Sequence, residues 1–129
     1  LAGNVIGIVA QRLVRTLFPW CKAPHFPTAV ELSLLGDSDL GEVRLFKATG
    51  CTSCDFQGYK GRTSILELLK FDAALDELVT QRASLKTMTQ HVREHGFVSM
   101  AEDGLRRVRE GHTTIEEIGR VVDLTELID

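Results

Sequence analysis

Two cysteines three positions apart constrain this chain more than any other feature. In Gly50-Cys51-Thr52-Ser53-Cys54-Asp55-Phe56-Gln57-Gly58-Tyr59-Lys60-Gly61-Arg62-Thr63-Ser64-Ile65-Leu66-Glu67-Leu68-Leu69, the Cys-x-x-Cys pair precedes a Gly-x-x-Gly turn and an apolar run with strand character. That order is typical of a metal-holding knuckle followed by its supporting strand. The only other cysteine is Cys21, in a turn bounded by Pro19 and Pro24. If this turn folds back onto the 51–54 turn, three sulfurs converge, and tetrahedral zinc then needs one more ligand. His25 is the nearest candidate, so Cys21, Cys51, Cys54 and His25 are the expected metal ligands. The alternative is three unligated, half-buried thiols packed around Phe18. A redox pair fits less well, because the motif leads into a Gly-rich turn and not onto a helix N-terminus that would depress a thiol pKa.

The odd cysteine count and the absence of a signal-peptide pattern at the start argue against a secreted disulfide scaffold and for a reducing cytoplasm. With 129 residues, 43% hydrophobic and 26% charged, the chain is expected to form one ordered domain with a modest core. A formal charge of −3 gives no footprint for nucleic acid. Arg106, Arg107 and Arg109 read as a solvated helix face. No apolar run is long enough to span a bilayer.

From Asn4 to Leu17 the residues Val5, Ile6, Ile8, Val9, Leu13, Val14 and Leu17 recur at roughly helical spacing, which predicts an amphipathic helix ended by Pro19. Its face is more apolar than a lone helix needs, and Leu1 falls inside the pattern, so the chain reads as a piece of a longer protein. Residues 18–41 hold all three prolines and a Gly36-Asp37-Ser38-Asp39 cluster, predicting an irregular arm with one short helix near Ala29 to Leu35. Glu42 to Ala48 and Thr63 to Leu69 read as two strands of a small hairpin with the cysteine turn at its tip. The remainder is helical. Asp72 and Ser84 are N-caps, Gly96 a stop, Ser99 to Glu102 a capping box, Gly111 a second stop, and Thr114 to Glu117 a second box. The expected fold class is α+β, mostly helical: an N-terminal amphipathic helix, a zinc-ribbon-like hairpin arm and a C-terminal bundle of about four short helices.

Two further motifs lack their chemistry. Gly58-Tyr59-Lys60-Gly61-Arg62-Thr63-Ser64 suggests a phosphate loop, but it has no Gly-Lys-Ser/Thr and leads into a strand, so no helix dipole faces a phosphate. His91-Val92-Arg93-Glu94-His95 matches the bare His-x-x-Glu-His pattern of inverted zinc peptidases. At the end of a helix its histidines are read as partners of the C-terminal dipole. Arg62 and Glu67 have opposite strand parity and form no same-face pair. No general acid or base is assigned.

The order Ala10-Gln11-Arg12-Leu13-Val14-Arg15-Thr16-Leu17, a cysteine turn, Gly-Cys-x-x-Cys-x-x-x-Gly-Tyr-x-Gly-Arg-Thr, Glu-Leu-Leu and the tail Asp103-Gly104-Leu105, Gly111, Thr114 to Glu117 resembles the C-terminal part of the type II secretion and type IV pilus assembly ATPases. That family usually carries two Cys-x-x-Cys pairs, and Phe18 stands here where its first cysteine is expected. The resemblance implies a hexameric parent that hydrolyses ATP with Mg at the cytoplasmic face of the bacterial inner membrane and drives pseudopilus or pilus assembly. The implied partners are the other hexamer subunits and inner-membrane platform proteins. The ATP-binding boxes of the family lie upstream, so the implied role here is structural: residues 1–17 complete the nucleotide-binding core, 18–62 form a metal-binding arm, and 63–129 a strand and helical subdomain. The rival readings are a type IV pilus ATPase fragment, a free-standing zinc-ribbon adaptor and a metallopeptidase using His91, Glu94 and His95.

Overall fold

The computed structural model describes residues 7–35 and 44–125. Residues 4–6 of the expected first helix, the Gly36 to Asp39 cluster and the start of the 42–48 strand lie outside them. Among the described residues the fold is mixed α+β, with five helices and two separate two-stranded antiparallel sheets.

The first element corrects the sequence reading. Gly7–Leu17 is a β-strand, β1, and not a helix. It pairs with β4 (Tyr59–Lys70) in a long antiparallel ribbon whose register runs from Gly7 opposite Lys70 to Arg15 opposite Arg62. Paired residues share a face. Val14 and Ile65 point inward and are fully buried, while Val9, Leu13, Leu66 and Leu68 stand exposed on the outer face. The apolar residues of β1 thus serve both faces, so their spacing imitates a helix. The β-branched residues Ile8, Val9 and Val14 suit the strand, and β4 supplies partners that no local window contains.

The expected hairpin is also replaced. β4 turns back to β1, and the 42–48 segment contributes a three-residue strand β3 (Leu45–Lys47) paired with β2 (Ala23–His25). The cysteine arm is therefore an insertion between the two strands of the ribbon. Its short helix α1 (Ala29–Leu35) lies where the sequence places it and buries Leu32 and Leu35.

The helices follow their caps. Asp72 accepts from the Leu75 amide to start α2 (Ala73–Thr80), and Ser84 accepts from Thr87 to start α3 (Leu85–Glu94). Gly96, at φ +88°, follows α3 in the left-handed conformation that suits a glycine after a helix. Only Leu75 of α2 is buried, and no residue of α3 is; Ala74 and Val79 are exposed. α4 (Met100–Arg109) opens with a complete Ser99–Glu102 capping box. In α5 (Ile115–Val121) Thr114 caps the Glu117 amide, but the Glu117 carboxylate turns away to Arg15 and Arg120.

The core lies between the inner face of the ribbon and α4 and α5, where Val14, Ile65, Leu105, Val108 and Ile118 form one cluster closed by Leu35 and Leu45 from the arm. The first turn of α4 covers the outer edge of β4. The Leu66 amide donates to Asp103 at 2.8 Å, and Glu67 accepts from the Met100 amide at 3.0 Å. Exchanging these bonds satisfies a strand edge and a helix start together.

Candidate metal centre

The arm brings the three cysteines together. Phe18 starts the first turn: its amide donates to the Gly58 carbonyl, and its own carbonyl accepts from the amides of Cys21 and Lys22. Thr49 donates its hydroxyl to the Cys21 carbonyl, which holds this turn against the second one. The second turn is a single 3-10 turn, Thr52–Cys54, followed by Asp55 and Phe56 at φ +55° and +61°. Two successive non-glycine residues in the left-handed region carry strain. The Phe56 amide holds that conformation by donating to the Cys51 carbonyl at 2.8 Å. Gly58 (φ +79°) completes the reversal, with its α-carbon so close to Ala48 that a β-carbon would lie 2.5 Å from that of Ala48.

The reversal aims backbone amides at sulfur. Cys54 Sγ accepts from the amides of Cys51 and Gly58, each at 3.3 Å. Desolvation pushes the Cys54 thiol up, but these two amides and the neighbouring thiols outweigh it and bring its pKa down to about 7. Desolvation dominates at Cys21 and raises its pKa. Of these two sulfurs Cys54 is the more readily ionised, and a thiolate is the ligand form.

The donor set fits a tetrahedral ion. Cys54 Sγ lies 3.8 Å from Cys21 Sγ and 3.7 Å from Cys51 Sγ. Two sulfurs bound at about 2.3 Å to one tetrahedral zinc are separated by roughly 3.8 Å, whereas a disulfide needs about 2.05 Å. The three clustered sulfurs, mutually within 4.8 Å, could hold a metal such as zinc. His25 is not brought into this group. Its Nε2 lies 3.5 Å from Glu31, and its Nδ1 is buried without a hydrogen-bond partner. Phe18 is half-buried, and its ring lies 5.6 Å from the Lys60 ammonium.

The His-x-x-Glu-His motif is split by its helix. His91 and His95 turn together toward Asp72, while Glu94 accepts from Gln90 at 3.2 Å away from them. The sequence identifies Asp72 only as a cap, because its approach to α3 depends on how the two helices cross.

A second cluster joins β1 to α5. Glu117, with no exposed side-chain surface, accepts from the Arg15 amide at 2.7 Å, from the Arg15 guanidinium at 3.1 Å and from Arg120 at 2.8 Å. Desolvation alone would raise its pKa, but these donors hold it down at about 2. The Arg15 guanidinium also lies over the Tyr59 ring at 4.2 Å. The sequence marks Glu117 only as the closing residue of the Thr114 capping box, and nothing local points it to Arg15.

The family described as type II/IV secretion system protein matches residues 1–120. The chain is 43% identical to the type II secretion system protein E of Pseudomonas aeruginosa over 94% of its own length and 24% of that protein. It is 41% identical to the type II secretion system ATPase E of Vibrio cholerae serotype O1, again over 94% and 24%. With the type IV pilus assembly ATPase TfpB of Acinetobacter baylyi the identity is 32%, over 96% of this chain and 22% of that protein. The chain spans about a quarter of the length of these curated relatives.

Proposed function

This chain belongs to the type II/IV secretion system protein family, and we propose on that premise that it is a structural part of a hexameric ATPase that powers type II protein secretion through pseudopilus assembly. Type IV pilus assembly is the alternative branch. The higher identities to the two type II relatives support the first of these.

The observation that carries the structural role is the outer face of the β1–β4 ribbon. Val9, Leu13, Leu66 and Leu68 are between 45% and 66% exposed on one contiguous strip. A strip of this kind is covered in a working assembly, and the cover proposed here is the nucleotide-binding body of the parent protein. ATP and Mg would bind there, since Gly58 to Ser64 enters strand β4 and offers no helix N-terminus to a phosphate. Residues 1–17, together with β4, would complete that body; 18–62 would form the metal-binding arm; and the remaining helices would shape contacts between subunits and with inner-membrane platform proteins, at the cytoplasmic face of the membrane. No helix among the described residues is long and apolar enough to cross a membrane.

In the arm, Cys21, Cys51 and Cys54 would hold one zinc ion, which supplies a crosslink between the two turns where little apolar packing exists. His25 is proposed as the fourth ligand, for which its ring must leave Glu31; a water or other exogenous ligand is the alternative. Structural zinc contributes on the order of 10 kcal/mol to small domains of this kind.

Two measurements test the reading. Metal analysis of protein purified without chelator should give one zinc per chain, absent in Cys54→Ser and weakened in His25→Ala; a metal-free parent removes the zinc from the proposal. In the full-length protein, Leu68→Asp should leave the zinc in place and impair ATP hydrolysis and ring assembly. Turnover of ATP by this chain alone, or unchanged activity in the Leu68→Asp protein, would refute the structural role.

A further inference from the structure

The cleft between β4, α3 and α4, about 480 Å³ in volume, contains a second set of metal-ligating side chains. One carboxylate oxygen of Asp72 and one ring nitrogen each of His91 and His95 lie mutually within 4.8 Å. We propose that Asp72, His91 and His95 form a second, independent site for a borderline divalent transition metal such as zinc, which ties the start of α2 to the last turn of α3.

Three observations carry it. The spacing is right: His91 Nε2 lies 3.0 and 3.1 Å from the two Asp72 oxygens, and nitrogen and oxygen ligands at about 2.0–2.2 Å from a tetrahedral ion are roughly 3.3 Å apart. The tautomer of His95 is right too, whereas His91 Nε2, which faces the Asp72 carboxylate, gives up its proton when the ion binds. His95 Nδ1 lies 2.8 Å from the His91 carbonyl oxygen, which can only accept, so Nδ1 carries the proton and the neutral ring keeps its lone pair on Nε2. A metal-binding histidine is commonly oriented by such a bond from its other nitrogen to a backbone carbonyl. Finally, the two rings already lie together, 4.3 Å between centroids and tilted by 34°. His91 in the last turn of α3 and His95 at its cap thus converge on a carboxylate from another element, as a chelating set requires.

The donors select the ion. Two imidazoles and a carboxylate suit zinc, copper, nickel or cobalt, whereas magnesium and calcium prefer all-oxygen sets. Three cations, Lys70, Arg106 and Arg107, also line the cleft, and the Asp72 carboxylate is the site's own counter-charge. Arg106 there is paired with Asp103 at 2.8 Å and with Glu110 at 3.4 Å, which leaves Arg107 as the second guanidinium lining the cleft. The site shares no residue with the thiolate cluster and contains no sulfur.

The ion would act where packing is thin. α3 buries no residue and α2 only Leu75, so a crosslink from Asp72 to His95 would stiffen a helical pair that the core scarcely holds.

The test is a Co2+ titration of metal-free protein whose three thiols have been alkylated, read by absorption, so that zinc fills neither site beforehand. A cobalt ion held by nitrogen and oxygen alone shows d–d bands without thiolate charge transfer, and with the thiols blocked this signature stands whether or not the native cysteines take metal. It should appear at one equivalent, weaken at least about tenfold in His95→Gln and in His91→Gln, and weaken in Asp72→Asn, where asparagine keeps the helix cap. Glu94→Gln should leave it unchanged, and far-UV circular dichroism should show each variant folded. A thiolate-free signal that is missing, that survives the His91→Gln/His95→Gln double variant, or that depends on Glu94 overturns the proposal.

Discussion

Arg15 and Glu117, 102 positions apart, are joined three times: the Arg15 amide, Nε and Nη2 all donate to the Glu117 carboxylate. The amide bond fixes the end of β1, and the guanidinium bonds fix the start of α5, so one buried carboxylate sets the distance between strand and helix. Arg120 adds two more donors from within α5. The hydroxyl of Thr113 donates to the Arg15 carbonyl at 2.8 Å and closes the junction from the other side.

Replacing Glu117 with glutamine should therefore cost more than a surface ion pair. The expected loss is about 2–3 kcal/mol, below the 3–5 of a fully enclosed pair because both arginines stay about half exposed. The same contact makes stability pH-dependent. Glu117 titrates at about 2 in the folded chain against an ordinary value of 4.5, so its contribution is complete above that ordinary value and is lost as pH falls toward 2. Urea unfolding of parent and Glu117→Gln across the acid range should show the two curves converging at low pH; parallel curves would place the acid sensitivity elsewhere.

Gly104→Ala should destabilise although alanine is the better helix former by about 1 kcal/mol. A β-carbon at Gly104 would lie 2.9 Å from Ile118 Cγ2 and 3.0 Å from its Cδ1, and Ile118 is completely buried. Overpacking of this kind costs about 1–3 kcal/mol. A thermal midpoint that rises in Gly104→Ala would mean that α4 and α5 separate easily.

Tyr59→Phe removes the hydroxyl 2.8 Å from Thr114 Oγ1 but keeps the ring beneath Arg15. The loss should be about 1 kcal/mol, the net value of one such hydrogen bond. Tyr59→Ala should cost clearly more, and equal losses in the two variants would show that the ring contributes nothing.

Chelation should loosen the arm before the core. With the thiolate site stripped, the amides of Cys21, Cys54 and Gly58 are expected to lose hydrogen-exchange protection by about tenfold or more, while Val14, Ile65 and Ile118 keep theirs. Cys54→Ser should reproduce that pattern without chelator. Uniform loss of protection would mean that arm and core unfold as one unit.

The sequence by itself determined what short-range chemistry controls. Asp72, Ser84, Ser99 and Thr114 each start a helix where the sequence places one, and Gly96 and Gly111 follow helices as left-handed residues, because a cap is satisfied within four residues of itself. The arm's short helix and the family were legible for a like reason: both rest on residues in fixed order along the chain. The tertiary structure decided the rest. β1 looks helical locally because Ile8, Val9, Leu13 and Val14 serve two faces of a ribbon, and only pairing with β4, across the whole arm, makes it a strand. That pairing also denied the arm its expected hairpin. In the same way Glu117 met Arg15, and Asp72 met His91 and His95, through the crossing of elements distant in sequence. A hydrogen bond to a neighbour is set by the residue that makes it, whereas a pair distant in sequence forms only where the packing of the whole chain outweighs the entropy of closing the loop between them.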